Sequence, residues 1–325
     1  MKPNLKAFKT DIGILSTNSR GIRGEAEYTY NPPRDKTRIL ILGDSYTLGN
    51  EVSNTETYSY NLQQMLPDTE VINMGVSGYG HDQMLLYLKE EGIKYKPNIV
   101  IVGFVADDMN RNMLEFRDYA KPKFELVNNE LKLTNHPVPP PAEVLQNEFY
   151  KLKFFDLLVV LYQKIRAKFG LDDTKRDRLT EGILDDIIKT VKSIGAIPVF
   201  VYLPSVWEIK WDDDHIPRGL PLSAKDFFFR YCKERDVKCL SVRQYFFDSM
   251  KTGRKFNPEV IRHYDANEHQ LIAETIKNFL LDKQLILSCI QDGINPRPIG
   301  QAFHCNFICC HVSQTFFSLF YCSIQ

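Results

Sequence analysis

The sequence lacks the long apolar runs that would place it in a membrane. Nowhere in its 325 residues does a run approach the ~18 apolar side chains that a membrane-spanning helix requires. The opening segment MKPNLKAFKTDIGILSTNSR contains no apolar stretch long enough for a signal-peptide core. As written, the chain is therefore expected to be cytoplasmic, and an extracytoplasmic location is expected only if the N-terminus is truncated.

An excess of charge of either sign is also lacking. Lysine and arginine together number 41, and so do aspartate and glutamate. Nucleic acids and anionic membrane surfaces attract proteins through a basic field, so neither is an expected partner. With 43% hydrophobic and 25% charged residues, the chain has the composition of a globular protein, long enough for one sizeable α/β domain or two small ones.

Cysteine is scarce in the body of the chain, where only Cys232 and Cys239 occur before the last segment. An odd total without regular spacing does not indicate a disulfide framework. The last segment holds the candidate metal ligands His304, Cys305, Cys309, Cys310 and His311. Because these lack the paired CxxC spacing of structural zinc sites, no metal is expected.

Composition divides the chain into three parts. Residues 1–36 are polar and rich in turn-forming residues, and we expect them to lie across the surface of a domain. Residues 37–287 alternate between strand-like and helix-like segments, with an insertion at about 109–146 whose prolines cannot occupy a central strand or a helix interior. Residues 288–325 are nearly uncharged and rich in Cys and Phe, and we expect them to lie outside the domain.

The alternation in the central part predicts the fold class. Buried strands are predicted for the apolar segments TRILILG, TEVINMG, PNIVIVGFV, IPVFVYLP and VKCLSV. Amphipathic segments such as HDQMLLYLKEEGIKY, which lie between them, predict helices. We therefore expect an α/β protein with a central parallel sheet, covered by helices on both faces and connected by right-handed crossovers.

The first strand runs directly into a serine. In RILILGDSYTLGNEV, residues 38–52, the apolar run ends in Gly-Asp-Ser. Because ligands of open α/β folds collect at the carboxyl ends of the strands, Ser45 is a candidate nucleophile. Alternatively, Asp44 or Ser45 caps the following helix, since both residue types accept hydrogen bonds from free N–H groups at a helix start.

Other strand ends supply candidate partners for such a serine. The second strand closes with Gly75, where the backbone can approach a ligand and the N–H is a candidate oxyanion donor. A glycine needed only for the turn explains the same residue equally well. Near the end of the domain, His263 precedes a helix, whereas His269 lies inside that helix, where a packing or surface role is expected.

Four segments together resemble a known family. GDSYTLG, VINMGVSGYGHDQ, PNIVIVGFVADD and HYDANEHQLIA follow in the order and at roughly the intervals of the SGNH/GDSL hydrolases, and the lead-in NSRGIRG is also similar. The resemblance covers about residues 18–283. It implies a three-layer α/β/α flavodoxin-like domain and the chemistry of esterases, lipases and carbohydrate acetylesterases.

Carried over to this sequence, the resemblance implies a catalytic role for two side chains. Ser45 is the nucleophile, and His263 takes its proton and returns it to the leaving alcohol. The backbone N–H groups of Ser45 and Gly75 are the implied oxyanion donors. Asp44 and Asp108 of the matching segments are expected to contact the substrate, and His81 is expected either to contact the substrate or to lie at the start of a helix.

The third segment departs from the family pattern at the oxyanion site. The family usually has an asparagine that donates its side-chain amide to the oxyanion, and this chain has Asp107 there. An ionised carboxylate would repel the developing charge, and the loss of one donor typically costs about 3 kcal/mol in the transition state. Either Asp107 is protonated, or Asn110 substitutes for it, or catalysis is weak.

The last segment departs from the pattern at the acid that orients the histidine. The family usually places this acid three residues before the histidine, where this chain has Val260. Glu259 is the nearest replacement and Asp265 is the other candidate. A Ser-His dyad without an acid would still work at a reduced rate.

The expected function is that of a serine esterase that forms an acyl-enzyme without a metal or organic cofactor. Its expected substrate is a small-molecule or carbohydrate ester, for example a carbohydrate O-acetyl group. Two alternatives stay open. One is an O-acyltransferase that passes the acyl group to a sugar hydroxyl, and the other is a non-catalytic binding module that keeps the fold and Ser45 but lacks oxyanion and acid functions.

Overall fold

The computed structural model describes most of the first 286 residues. The described residues are 1–9, 13–117, 119–140, 143, 173–205, 208–209, 223–254, 256 and 263–286. The chain separates into two compact units, Met1–Leu287 and Ser288–Gln325, and the second lies outside the described residues. Among the helices of the described ranges, none is long and apolar enough to cross a membrane.

The described secondary structure alternates between strands and helices from residue 37 onward. The strands are β1 (Phe8–Lys9), β2 (Ile14–Leu15), β3 (Thr37–Gly43), β4 (Thr69–Gly75), β5 (Ile99–Phe104), β6 (Lys123–Val127), β7 (Glu130–Thr134), β8 (Ile197–Tyr202) and β9 (Lys238–Ser241). The helices are α1 (Ser45–Leu48), α2 (Tyr58–Met65), α3 (His81–Glu90), α4 (Ala106–Arg111), α5 (Asp173–Ser193), α6 (Ser223–Arg235), α7 (Arg243–Lys251) and α8 (Ala266–Asp282). Two short 3-10 helices span Asn54–Glu56 and Gly92–Tyr95.

Five strands form one sheet in the order β4-β3-β5-β8-β9, and every neighbouring pair is parallel. Counted along the chain, these strands have the order 2-1-3-4-5 of flavodoxin-like folds. The connection that leaves β3 runs toward β4 at one edge, and the connection that leaves β5 runs toward β8 in the opposite direction. The carboxyl ends of β3 and β5 therefore flank the switch point at which such folds bind ligands. The predicted α/β fold class with a central parallel sheet is confirmed.

The sheet is buried on both faces, which gives the domain its three layers. Leu40 and Leu42 of β3 belong to a core cluster shared with α3, α5 and α6. Ile39 and Ile41 belong to a second cluster shared with α2, α7 and α8. Since successive side chains of a strand point to opposite faces, a strand covered on both sides presents apolar side chains to both, as the run ILIL of residues 39–42 does.

The insertion forms an antiparallel hairpin of β6 and β7. Its side chains Phe124, Leu126 and Leu131 pack against the core cluster that includes α5. The described part of the insertion is therefore attached to one layer of the domain. Residues 141–142 and 144–146 lie outside the described residues.

One disulfide joins Cys232 of α6 to Cys239 of β9, with a Cα–Cα distance of 6.1 Å. Spacing gives no signal for this pair because the two cysteines meet only when β9 folds back beside the end of α6.

Candidate active site

The nucleophile candidate lies on a short helix at the end of β3. Asp44 is the N-cap of α1, and its carboxylate accepts a hydrogen bond from the Tyr46 N–H at 2.9 Å. Ser45 is the first helical residue and is 5% exposed. Of the two roles considered for this pair of residues, the helix cap belongs to Asp44. The hydroxyl of Ser45 is therefore not used as the cap.

Two paired glycines allow this helix to lie directly on the strand ends. Gly43 and Gly75 are register partners at the ends of β3 and β4. A Cβ at Gly43 would lie 1.9 Å from Thr47 Oγ1, and a Cβ at Gly75 would lie 2.4 Å from the backbone nitrogen of Leu48. The closeness of α1 to the sheet therefore excludes a side chain at either position.

The structure brings Ser45 and His263 together. His263 Nε2 lies 2.8 Å from Ser45 Oγ. The imidazole is half-buried, and the ring of Tyr46 packs against it with centroids 4.9 Å apart. Tyr46 also contacts Tyr264, the residue after the histidine. A ring packed in this way has few alternative orientations, so the contact with Ser45 is maintained by neighbouring side chains.

An acid that the sequence analysis missed occupies the other side of the imidazole. Glu51 Oε1 lies 3.1 Å from His263 Nδ1, and Glu51 Oε2 accepts the His263 backbone N–H at 3.2 Å. Because a carboxylate only accepts hydrogen bonds, Nδ1 carries the proton and Nε2 is left to accept from the Ser45 hydroxyl. This is the tautomer that a general base for Ser45 requires.

The acids expected from the sequence are elsewhere. Asp265 is the N-cap of α8, where its carboxylate accepts from the Glu268 N–H at 2.8 Å and Glu268 bonds back to the Asp265 N–H at 2.7 Å. This reciprocal capping box accounts for Asp265, so the expectation that it orients His263 is corrected. Glu259 and Val260 lie outside the described residues.

The structure gives other partners to the expected oxyanion groups. The Gly75 N–H donates to Asn73 Oδ1 at 2.9 Å, so it is not free to face an oxyanion. Asp107 is exposed, and its carboxylate accepts from Arg111 Nη2 at 2.9 Å. Asn110 is exposed on α4, and none of the described hydrogen bonds joins its side chain to Ser45. The Ser45 N–H stays a prediction as oxyanion donor.

A buried charged cluster lies directly behind the nucleophile. Arg111 Nη1 donates to Asp44 Oδ2 at 2.7 Å and to Asp108 Oδ1 at 2.6 Å, and both carboxyls are fully buried. Burial raises the pKa of Asp108 well above its usual value, and the neighbouring Asp44 raises it further. Burial alone would lower the pKa of Arg111, but the carboxyls of Asp108 and Asp44 raise it. The guanidinium is thus the fixed positive charge of the cluster.

The side chains expected to contact substrate are all in the interior, and this expectation is corrected. Asp44 and Asp108 belong to the cluster on Arg111. His81, the first residue of α3, is also fully buried, with Nδ1 3.3 Å from Asn112 Nδ2. Burial lowers the pKa of His81 to about 3, so it is neutral at pH 7. Within the described ranges, no group of three or more His, Cys, Asp and Glu side chains could hold a metal ion.

This protein is similar to known proteins in its structure, not in its sequence. No profile of a known protein family and no curated protein matches the sequence. An acetyl xylan esterase has a TM-score of 0.46 and 10% identity, over 74% of this chain and 98% of that one. A lipolytic protein of the G-D-S-L family from Desulfitobacterium hafniense DCB-2 has a TM-score of 0.42 and 14% identity, over 75% and 100%.

A two-domain esterase active on acetylated mannans, co-crystallised with mannopentaose, has a TM-score of 0.45 and 13% identity over 82% of this chain. This chain spans 53% of the length of that esterase. Likeness of this size does not decide the reaction. The case for a function therefore depends on the residues of the site.

Proposed function

We propose that this protein is a serine esterase of the SGNH/GDSL type, with Ser45, His263 and Glu51 as its catalytic triad. The observation that carries the proposal is the continuous contact from Ser45 Oγ to His263 Nε2 at 2.8 Å and from His263 Nδ1 to Glu51 at 3.1 Å. A nucleophile, a base within hydrogen-bond reach and a third group that orients the base form the pattern of an activated serine.

The reaction follows from these contacts. Ser45 Oγ attacks the carbonyl carbon of the ester while its proton passes to His263 Nε2. When the tetrahedral intermediate collapses, the C–O bond to the alcohol breaks and His263 gives its proton to the leaving oxygen. Water then attacks the acyl-enzyme with His263 as the base, which releases the carboxylic acid and restores Ser45.

Glu51 supports both steps without exchanging a proton. Its carboxylate accepts a hydrogen bond from the Nδ1–H of His263, keeps the imidazole in the reactive tautomer and stabilises the imidazolium that forms when Ser45 loses its proton. The triad resembles the family pattern in the serine and the histidine. It differs in taking the acid from the loop after the nucleophile helix.

The substrate we propose is a carboxylic ester of a small molecule or a carbohydrate, with an O-acetyl group on a sugar as the leading example. This choice is supported only by the resemblance of the four sequence segments to acetylesterases. A fold hosts many substrates, so the acyl group and the alcohol have to be identified by assay.

The first experiment compares the full-length protein with the Ser45→Ala variant. We expect the wild type to hydrolyse p-nitrophenyl acetate and to be labelled by a fluorophosphonate at Ser45. The variant should lose about 10⁴-fold or more in kcat and should not be labelled, because a triad without its nucleophile keeps only residual catalysis. Circular dichroism should show that both proteins are folded.

Two other results would replace the proposal. A folded wild type that neither turns over nor labels would favour the non-catalytic binding module, which the engaged Gly75 N–H and the exposed Asp107 also fit. A wild type that labels at Ser45, but releases acid more slowly when a sugar acceptor is present and forms an acylated sugar, would favour the O-acyltransferase.

A further inference from the structure

The segment that carries Glu51 is held by a buried arginine from the N-terminal part of the chain. Arg23 belongs to the lead-in NSRGIRG and is 4% exposed. Its guanidinium donates to four oxygen atoms of the segment 48–54. The acceptors are Leu48 O at 2.8 Å, Gly49 O at 2.6 Å, Val52 O at 2.6 Å and Asn54 Oδ1 at 3.0 Å.

These acceptors lie on both sides of Glu51 in the chain. Gly49 and Val52 have their carbonyl oxygens on the two terminal nitrogens of one planar group. A planar guanidinium fixes the relative positions of its acceptors, which a single ammonium group cannot do. The backbone that bears Glu51 is therefore fixed at two points close to the acid.

The guanidinium keeps its charge in this position. Burial lowers the pKa of Arg23 to about 10, which still leaves it protonated at pH 7. A charged donor is also well suited to this segment, since the Leu48 and Gly49 carbonyls end helix α1 and carry the negative end of its dipole.

We propose that Arg23 is a positioning residue that holds Glu51 against His263. This inference rests on the proposed function, because it concerns the acid of the proposed triad. Arg23 lies behind the segment and bonds its backbone, whereas Glu51 makes the contact with the imidazole. Because Arg23 also bonds the Leu48 and Gly49 carbonyls at the end of α1, which carries Ser45, the test has to separate an effect through Glu51 from an effect through this helix.

Arg38 offers a matched control in the same domain. It is also fully buried, and it also donates to backbone carbonyls, those of Tyr30 and Tyr95. It lies near the amino end of β3, at the opposite end of the strand from Ser45. Arg38→Met removes the same kind of buried group from the same domain without touching the segment of Glu51.

The kinetic test uses p-nitrophenyl acetate and four variants, Arg23→Met, Arg38→Met, Glu51→Gln and the double variant of Arg23 and Glu51. We expect Arg23→Met to lower kcat by about tenfold or more with KM changed by less than about twofold. In the Glu51→Gln background, the same substitution should change kcat by less than about twofold, because coupled residues are not additive. Arg38→Met should leave kcat within about twofold of the wild type.

A second measurement does not depend on activity. In protein labelled with ¹⁵N-histidine, the His263 signal, identified by its loss in His263→Gln, should show a protonated Nδ1. In Glu51→Gln and in Arg23→Met the signal should move toward the other tautomer, and in Arg38→Met it should stay unchanged. Arg23→Lys, which keeps the charge, serves in place of Arg23→Met if the latter does not fold.

The outcomes separate this inference from the proposed function. If kcat falls by the same factor in both backgrounds, or if the His263 tautomer is unchanged without Arg23, then Arg23 has a structural role only and the inference is wrong. If the wild type shows no Ser45-dependent hydrolysis, the proposed function is wrong, and the ¹⁵N spectra still decide whether Arg23 positions Glu51.

Discussion

The two ends of the central sheet each contain a buried arginine, and the two arginines have different surroundings. Near the amino end of β3, Arg38 pairs with Glu70 at 2.5 Å and with carbonyl groups. Beyond the carboxyl end, Arg23 bonds the segment that bears Glu51, and Arg111 pairs with two buried carboxyls. The buried arginine at the amino end thus bonds groups remote from the proposed site, whereas those at the carboxyl end bond the segments that carry Ser45 and Glu51.

The carboxyl end also contains more of the polar groups that are costly to bury. Asp44, Asp108, His81 and His269 are all fully buried there. His81 Nε2 and Asp108 Oδ2 are buried without a hydrogen-bond partner in the described part of the chain. The difference indicates that polar burial is concentrated where the strand ends converge, and that this end should respond more strongly to substitution and to pH.

After the loss of the nucleophile itself, the largest effect is expected from Glu51. Glu51→Gln should lower kcat by about 10³ to 10⁴-fold, because the amide can stabilise the wrong tautomer of His263 and carries no charge to oppose the imidazolium. Asp265→Asn is the matched control, since asparagine is an equally good N-cap and should leave kcat within about twofold. Hydrolysis of p-nitrophenyl acetate measures both. Equal losses would mean that the acid has been misassigned.

The next effect is on stability and compares the two ends directly. Arg111→Met should lower the free energy of unfolding by about 3–5 kcal/mol, since it leaves buried carboxyls without their cation. Arg38→Met should cost less, about 1–3 kcal/mol, because its partner Glu70 is 18% exposed and can be solvated. Urea unfolding at pH 7 gives both values. A larger loss for Arg38→Met would reverse the comparison.

The smallest expected effect is the loss of stability at low pH. Burial lowers the pKa of His269 to about 3, and Tyr58 N donates to its Nδ1 at 3.1 Å. Below about pH 6.5 the unfolded chain binds a proton here that the folded chain does not, so stability falls as the pH falls from 6.5 toward 3. Between pH 7 and pH 5, the wild type should lose about 2 kcal/mol more than His269→Asn.

The same interval contains an opposing contribution. Burial raises the pKa of Glu268 to about 7, so its protonation in the folded state adds stability as the pH falls. Because Glu268 is present in the wild type and in His269→Asn, the difference between their urea transitions isolates the histidine. Parallel pH curves for the two proteins would show that His269 is already solvated.

The sequence was sufficient for the fold because its signals were local. Residues 39–42 of TRILILG are four consecutive apolar side chains, which predict a strand covered on both faces, and the structure has this strand in the interior of the sheet. The order of short motifs also predicts Ser45 and His263 as site residues, and the structure has them 2.8 Å apart. The disulfide gave no such signal, since Cys232 and Cys239 belong to different elements.

The acid could not be found in this way because its contact is not local. Glu51 and His263 are 212 residues apart, whereas the family pattern places the acid three residues before the histidine. The signal that could have found it is a lone carboxylate six residues after the serine, in a turn that returns to the strand end. The burial of polar side chains cannot be predicted from local sequence either. Asp44, His81 and Asp108 are therefore expected from the sequence to contact substrate, whereas the structure buries all three.

The arrangement of the triad has a mechanical consequence. Ser45 and Glu51 are carried by one continuous stretch of chain, and the imidazole is carried by another, just before α8. The proposed triad therefore depends on the relative position of only two stretches of chain. Moving the stretch that bears His263 would break its contacts with the proposed nucleophile and with the proposed acid in one step.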